Sequence, residues 1–282
     1  MSKEQKPAAM KITFWGTRGT LPAPGPQFAQ AGGNTNCTEL TIGEETIVFD
    51  AGTGVRELGS QLAAERPQQN VHLLLTHAHY DHVEGLPFFA PFFIPKTKVK
   101  VCCGKLDGSD TTKDTVLELM RRPYFPVGPS VFTADVEYVD LQENDAFSIS
   151  ENIKISTMPL NHPGGATGYR VDCGDKSFAC ITDTEHVIGE HDQSIIDFIK
   201  DVDAFIYDCS LTDEEYPDFA GYGHSTFEEG LRLQALANAG QLIAFHHMPF
   251  RTDAELNKIE QDILQKENAS NMIAREGFSF TI

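Results

Sequence analysis

The segment that follows residue 76 carries the side chains best suited to bind metal ions. Three imidazoles and one carboxylate fall within six positions, at His77, His79, Asp81 and His82. Imidazole nitrogens and carboxylate oxygens are suitable ligands for zinc and related divalent metals. On a tight loop, His77 and His79 can converge on one ion while Asp81 and His82 point toward a second. The alternative is a surface loop that holds several histidines by accident, but ten histidines would rarely place three so close together.

The candidate ligands follow predicted strands, so the ends of those strands would position them. Val71, Leu73, Leu74 and Leu75 precede the segment and form the apolar pattern of a buried strand. An open α/β sheet offers side chains to a cleft where its strands end. Other candidate ligands also follow apolar runs, namely His162, Asp183, His246 and His247. Alone, the first two of these could equally be ordinary turn residues.

The H-x-H-x-D-H string after an apolar strand resembles the signature of the metallo-β-lactamase-fold hydrolases. Members that use the fold for di-iron redox work resemble H-x-E-x-D-H instead, so His79 at the glutamate position favours a hydrolytic di-metal site. The resemblance implies an α/β protein with two mixed β-sheets flanked by helices, a four-layer αββα sandwich. We expect residues 1–10 to be disordered and residues 11–282 to form a single domain of this fold.

The resemblance implies that the predicted ligands divide between two divalent ions. The first ion would be bound by His77, His79 and His162. The second ion would be bound by Asp81, His82 and His246. Asp183 could bridge both ions because a carboxylate has two oxygens, and His247 competes with His246 for its role. Nitrogen-rich ligation favours Zn²⁺, while Mn²⁺ or Fe²⁺ would suit the oxygen bridge.

A second motif places a histidine at the start of a predicted helix. The sequence Gly223-His224-Ser225-Thr226 resembles the ribonuclease Z branch and its small-phosphodiester relatives, as do Gly16-Thr17-Arg18-Gly19, Phe49-Asp50-Ala51-Gly52-Thr53-Gly54 and Gly168-Tyr169-Arg170. The resemblance assigns His224 as a general acid, and Asp208, which ends the preceding strand, would orient its imidazole. The alternatives are a helix cap at Ser225 or Thr226 and a solvated carboxylate at Asp208.

The resemblance implies a metal-dependent hydrolase that cleaves a small phosphodiester, such as a cyclic nucleotide, with a hydroxide that bridges two ions. Asp81 would align the hydroxide, and His224 would donate a proton to the leaving oxygen. One alternative is a lactone or thioester hydrolase on the same site, although carbonyl cleavage has less need of an acid. A further alternative is a non-catalytic metal-dependent nucleotide-binding module, which the intact ligand set disfavours.

Charge limits the partners of this chain. The net charge of −19 gives a surface that repels polyanions, so a nucleic-acid polymer is an unsuitable partner. Members of the family that process tRNA also carry a long basic arm between the positions of His162 and Asp183, where this chain has only twenty residues. We expect a small-molecule substrate, and a homodimer is among the open oligomeric states.

Cysteine usage and hydropathy indicate a cytoplasmic protein. The six cysteines lack a CxxC pair and lie mostly in apolar stretches, as reduced core thiols do. The first residues, MSKEQKPAAMK, lack an apolar region, and no segment is long enough to span a bilayer. We therefore expect no membrane association.

The sequence leaves the roles of three further features open. The segment from His77 to His82 is called here the metal loop. The aromatic stretch from Leu86 to Pro95 is either a hydrophobic plug beneath the metal loop or an apolar wall of the cleft. His186 and Arg251 are either substrate contacts or ordinary surface residues. Met248 replaces the aspartate of an H-H-D-P element in bacterial relatives, which leaves the role of that position open.

Overall fold

Fourteen strands and seven α-helices cover the part of the chain that the structure, a computed structural model, describes, namely residues 9–104 and 111–282. The strands are β1 (Met10–Gly16), β2 (Cys37–Ile42), β3 (Glu45–Phe49), β4 (Asn70–Leu75), β5 (Lys98–Cys103), β6 (Asp135–Asp140), β7 (Ala146–Ser150), β8 (Ile153–Leu160), β9 (Ala166–Cys173), β10 (Lys176–Ile181), β11 (Ala204–Asp208), β12 (Gln241–Phe245), β13 (Met272–Ile273) and β14 (Ser279–Thr281). The helices are α1 (Val55–Glu65), α2 (Tyr80–Val83), α3 (Thr112–Glu118), α4 (Gln193–Phe198), α5 (Phe227–Leu236), α6 (Asp253–Ile259) and α7 (Gln265–Glu267), with a π turn at Glu260–Leu264 between the last two.

The strands form two mixed sheets of seven strands each within these described ranges. The first sheet has the order β14-β1-β2-β3-β4-β5-β6, and the second has the order β13-β12-β11-β10-β9-β8-β7. Side chains from both sheets pack together in the buried layer between them. In that layer the ring of Phe49 lies 6.0 Å from the ring of Tyr169 and 5.9 Å from that of Phe178. Burial of this apolar surface is the main force that joins the sheets.

Helices cover the outer face of each sheet. On the first sheet, α1 contacts β1 and α3 contacts β5 and β6. On the second sheet, α5 contacts β11 and β12, with α4 beside it. Val55, Leu58 and Leu62 form one buried face of α1, which is the amphipathic pattern of a helix on a sheet. The order of layers is helix, sheet, sheet and helix, so the predicted four-layer sandwich is confirmed.

Parallel strands at the centre of each sheet direct their carboxyl ends toward one common edge. In the first sheet β3, β4 and β5 are parallel, and in the second β10, β11 and β12 are parallel. Two hydrogen bonds join the sheets there. The Tyr169 hydroxyl donates to the Leu75 carbonyl at 2.7 Å, and the Thr167 amide donates to the Thr76 carbonyl at 2.8 Å. The end of β4 is therefore held against the second sheet.

One predicted boundary differs from the structure. Met10 is buried and begins β1, so the prediction of disorder for the first ten residues is wrong at that position; residues 1–8 lie outside the described residues. Helix α4 begins at Gln193 because the Asp192 side chain caps it, accepting from the amides of Ser194 and Ile195. All six cysteines are buried, with free thiols. Among the described residues, no helix is long and apolar enough to cross a membrane.

Candidate metal centre

The loop after β4 carries three imidazoles and a carboxylate to the edge where the two sheets meet. His77 follows the strand almost directly, and α2 then begins at Tyr80. This single helical turn carries Asp81 and His82, which are buried, while His79 at its N-terminal boundary is exposed. The strand end and the short helix together compress these side chains into one small region.

The first predicted group, His77, His79 and His162, converges, since their candidate ligand atoms lie within 4.8 Å of one another. His162 Nε2 lies 3.1 Å from His79 Nδ1. The His77 ring meets the other two rings edge-on, at centroid distances of 4.4 Å and 4.7 Å. His77 Nε2 is buried and has no hydrogen-bond partner among the described residues. A buried ring nitrogen without a protein partner is the expected state of a metal ligand.

The second predicted group, Asp81, His82 and His246, converges in the same way. Asp81 Oδ2 lies 3.3 Å from His82 Nε2 and 3.2 Å from His246 Nε2. The His82 and His246 rings are stacked at a centroid distance of 5.6 Å. All three side chains are buried, so the charge of Asp81 requires a nearby cation.

Asp183 lies between the two groups. Its Oδ1 atom is 3.9 Å from Nε2 of both His77 and His162, which belong to the first group. The same atom is 3.2 Å from His246 Nε2, and Oδ2 is 3.2 Å from His82 Nε2. One carboxylate therefore faces both groups, which is the arrangement that a bridging ligand requires.

Three strand ends at this site share a left-handed backbone conformation. The φ angle is 60° at Asp50 after β3, 60° at Asp183 after β10 and 59° at His246 after β12. This conformation is uncommon outside glycine, and aspartate and histidine are among the residues that adopt it most often. It turns each chain sharply as its strand ends. Backbone strain of this kind concentrates at functional sites.

Backbone and carboxylate acceptors fix the orientation of two imidazoles. His82 Nδ1 donates to Asp50 Oδ2 at 2.8 Å, and His162 Nδ1 donates to the Gly223 carbonyl at 2.8 Å. Because these outer nitrogens carry the protons, each Nε2 can present its lone pair to the cluster. This is the tautomer that metal binding requires, and such partners are typical of metal-ligating histidines.

Carboxylates surround the ring of His82. The carboxylates of Asp50, Asp81 and Asp183 all lie within 3.3 Å of its ring nitrogens. Burial lowers the pKa of His82, but these carboxylates outweigh burial and raise it well above its ordinary value. Burial raises the pKa of Asp183, yet the surrounding imidazoles hold it well below its ordinary value. The donor set of imidazole nitrogens and ionised carboxylates fits divalent ions such as Zn²⁺, Mn²⁺ or Fe²⁺.

His224 and Asp208 form a pair beside the cluster. His224 Nδ1 donates to Asp208 Oδ2 at 2.9 Å and lies 4.0 Å from Asp183 Oδ1. Its ring is stacked on that of His246 at 4.7 Å. Burial lowers the pKa of His224, but the Asp208 carboxylate outweighs burial, and the pKa rises to about 9. The raised pKa favours the protonated imidazole, and Nε2 is the ring nitrogen that Asp208 leaves unengaged.

Two residues considered for the site have other roles in the structure. His247 lies outside the ligand groups, and its Nε2 donates to the Ala274 carbonyl at 2.9 Å. His246, rather than His247, therefore belongs to the candidate ligand groups. Arg251 is buried and donates to both carboxylate oxygens of Glu215, so the interpretation of Arg251 as an ordinary surface residue is wrong.

The neighbours of Met248 explain why an apolar residue fits there. Its side chain packs with Leu211 and Tyr216 in a small buried cluster. The His186 ring is stacked on the Tyr216 ring at a centroid distance of 4.1 Å, and His186 Nδ1 lies 2.8 Å from Ser225 Oγ. His186 is thus engaged with the segment before α5 rather than with the ligand groups.

The aromatic stretch after the metal loop serves partly as the predicted plug. Phe89 and Phe92 are fully buried in the cluster beneath α1. Phe88 and Phe93 are 57% and 38% exposed, so they do not belong to this plug.

Several residues that contact the predicted ligands were missed from the sequence, among them Asp50, Asn36 and Ser210. Asp50 and Asn36 contact His82, with the Asn36 amide nitrogen 2.7 Å from Nε2. Ser210 Oγ lies 3.0 Å from His246 Nδ1. Asp50 carried a visible signal, since it is a carboxylate directly after a buried strand. Asn36 and Ser210 lie in polar loops, where nothing in the sequence distinguishes them from other turn residues.

Comparisons with known proteins agree with this architecture. Residues 45–247 match the Beta-lactamase superfamily domain. A ribonuclease Z from Bradyrhizobium sp. (strain ORS 278) is 23% identical over 287 residues, covering 84% of this chain and 89% of that protein. The metallo-beta-lactamase fold protein YhfI from Bacillus subtilis superposes with a TM-score of 0.70 at 19% identity, covering 98% of this chain and 100% of that chain. A diphosphatase from the PhnP family superposes with a TM-score of 0.69 at 15% identity, covering 96% of this chain and 97% of that one. The domain match extends over more than half of the chain, so this protein belongs to the metallo-β-lactamase superfamily of hydrolases.

Proposed function

We propose that this protein is a metal-dependent phosphodiesterase that hydrolyses a small phosphodiester, such as a cyclic nucleotide. The observation that carries the proposal is the His224–Asp208 pair beside the predicted ligands. His224 Nδ1 donates to Asp208 and lies 4.0 Å from Asp183 Oδ1, and the pKa of His224 is raised to about 9. The site would therefore combine a metal-binding cluster with an acid. Cleavage of an alkyl phosphodiester expels a basic oxygen that needs a proton, and a positioned acid supplies it.

The ligands would hold two divalent ions, with zinc favoured by the nitrogen-rich set. One ion would be held by His77, His79 and His162, and the other by Asp81, His82 and His246, with Asp183 shared. Such ions, when bound, activate water at neutral pH and offset negative charge on phosphoryl oxygens.

The chain's own residues would complete the reaction. Asp81, whose Oδ2 lies between the Nε2 atoms of His82 and His246, would align the attacking water. His224 would donate its Nε2 proton to the leaving oxygen. Asp208 would keep Nδ1 engaged, so that the ring neither rotates nor presents the wrong nitrogen.

The net charge and the short segment between His162 and Asp183 both favour a small substrate. The net charge of −19 opposes binding of a nucleic-acid polymer. The twenty residues between His162 and Asp183 are largely occupied by β9 and β10. Relatives named ribonuclease Z and a structural neighbour named a diphosphatase are consistent with cleavage of a phosphorus–oxygen bond. A small phosphodiester is therefore the substrate class that we propose.

The test compares substrates that differ in their leaving group. Zinc-loaded, manganese-loaded and chelator-treated protein would be assayed on a cyclic nucleotide, bis(p-nitrophenyl) phosphate, an aryl lactone and a thioester. We expect metal-dependent turnover of both phosphodiesters. His224→Ala should reduce cyclic nucleotide hydrolysis by at least about 100-fold. The aryl diester should lose less activity, because p-nitrophenolate leaves without a proton.

A matched control tests whether the loss of activity is specific to His224. His191 pairs with Glu229 away from the ligand groups, so His191→Ala should retain wild-type turnover. Faster cleavage of the lactone or thioester than of either phosphodiester would contradict the proposal. So would an undiminished rate on the cyclic nucleotide in His224→Ala.

A further inference from the structure

The segment from Thr17 to Thr20, called here the 17–20 segment, lies beside the second group of predicted ligands. It follows β1 and pairs with the chain around His247. The Gly19 amide donates to the His247 carbonyl at 3.0 Å, and the His247 amide donates to the Thr17 carbonyl at 3.0 Å. This pairing fixes the segment next to the residue that carries the His246 imidazole.

Gly19 leaves the space that the His246 ring occupies. A Cβ atom at Gly19 would lie 2.0 Å from Cε1, 2.2 Å from Nδ1 and 2.6 Å from Nε2 of His246. Gly19 is not among the residues with a positive φ angle, so its backbone conformation does not itself require glycine. The close approach of the imidazole is what excludes a side chain at this position.

Thr20 holds the carboxylate of the same group. Its amide donates to Asp81 Oδ2 at 2.7 Å, the oxygen that faces both His82 and His246. Thr20 has a φ angle of 66°, a conformation that β-branched residues rarely adopt. The surrounding contacts therefore determine the direction of this amide against a local preference.

Arg18 anchors the segment from the other side. Its side chain is fully buried, and its Nε donates to the Gly32 carbonyl at 2.8 Å. Its Nη1 donates to the carbonyls of Arg251 and Met248 at 2.6 Å and 3.3 Å, and Asp253 lies 3.9 Å from Nη2. A rigid guanidinium can bind several loops at fixed angles, which an ammonium group cannot.

We propose that the 17–20 segment positions Asp81 and His246 and thereby determines whether the second ion binds. This inference rests on the proposed metal-dependent function. Gly19, Thr20 and Arg18 are positioning residues, since their contacts reach the ions only through other side chains. The described contacts of the segment reach the second group, while the first group is held by the metal loop and the end of β8. Loss of the segment's geometry should therefore remove one ion and spare the other.

The experiment measures ions bound per chain, by elemental analysis after dialysis in zinc, together with thermal melting. We expect two ions for the wild-type protein and one for Gly19→Ala. Gly240→Ala is the matched steric control, since its Cβ would lie 2.0 Å from the Asp203 carbonyl oxygen, away from the ligand groups. That variant should melt at a lower temperature and still bind two ions.

A second variant covers the case in which Gly19→Ala does not fold. Arg18→Lys keeps the charge but loses the planar fork, and chelator competition should show at least about tenfold weaker binding of the second ion only. Wild-type affinity for both ions in either folded variant would overturn the inference and leave the proposed function intact. A wild-type protein that binds no divalent ion would overturn both.

Discussion

Asp50 Oδ2 lies 2.8 Å from His82 Nδ1, whereas the other ring nitrogen, Nε2, faces the metal cluster. Asp50 also accepts from the amide and the hydroxyl of Thr76, at 2.7 Å and 3.0 Å. The carboxylate thus links the ends of β3 and β4 and sets the orientation of His82. Asp50 is buried, so its charge would be unfavourable if these hydrogen bonds were lost.

Asp50→Asn should therefore weaken metal binding without removing a ligand. We expect the affinity of the site that contains His82 to fall by about 10- to 100-fold, as for other partners of ligating histidines. Competition with a chromogenic chelator measures this metal affinity. Asp203→Asn is the control, because Asp203 accepts from Ser177 at the opposite end of β10. Equal affinities in Asp50→Asn and in wild type would show that His82 is oriented by other contacts.

The strand ends were predictable because burial constrains the sequence there. Strands covered on both faces are continuous apolar runs, so the first polar residue after such a run stands out. This signal located His77 after β4, Asp183 after β10 and His246 after β12, and the structure places all three at one edge.

The remaining features depend on contacts distant in the sequence. β13 and β14 have two and three residues, too few for a periodic pattern, and they exist through pairing with β12 and β1. The choice between His246 and His247 depends on the turn after β12, which directs one side chain to the cluster and the other to Ala274. The requirement for glycine at Gly19 comes from a ring more than two hundred positions away.

His247→Ala should affect stability rather than metal content. Burial lowers the pKa of His247 to about 3, so the ring is neutral at ordinary pH and acts as a hydrogen-bond donor to Ala274. Its loss leaves that buried carbonyl unpaired and should lower the free energy of unfolding by about 1–3 kcal/mol. Urea denaturation measures this change. His246→Ala is the comparison, and it should lose one bound ion; loss of an ion in His247→Ala instead would reverse the ligand assignment.

Glu215 should make the protein's stability depend on acid pH through Arg251. Burial raises the pKa of Glu215, but hydrogen bonds from Arg251 and Thr212 outweigh it, and the pKa lies below its ordinary value. A carboxylate with a lowered folded-state pKa stabilises the protein above its unfolded pKa, about 4.3. That contribution is lost as the pH falls through the folded-state pKa.

Glu215→Gln should therefore melt below the wild-type temperature at neutral pH, and the difference should shrink as the pH falls below about 4. Melting temperatures of both proteins across this range measure the effect. Glu214→Gln, a neighbouring exposed glutamate, should match wild type throughout. A difference that stays constant with pH would mean that the contribution of Glu215 is not electrostatic.

Glu185 holds the turn that carries His224. Its two carboxylate oxygens accept from the amides of Gly221 and Gly223, each at 2.7 Å. Both glycines have positive φ angles, 91° and 86°, so this turn has little intrinsic preference for its shape. Glu185 lies two residues after Asp183 and therefore ties the position of the acid to the strand end that faces both ligand groups.

Glu185→Ala should release this turn and lower kcat on a cyclic nucleotide by about tenfold, because the acid no longer holds its proton at the leaving oxygen. The loss on bis(p-nitrophenyl) phosphate should be smaller, and the metal content should stay at the wild-type value. Glu185→Gln keeps one acceptor oxygen, and its kcat should lie between those of the wild-type protein and Glu185→Ala. Glu190→Ala, an exposed glutamate on the same loop, should match wild type. Equal losses on both substrates, or loss of an ion, would instead place Glu185 in support of the metal cluster.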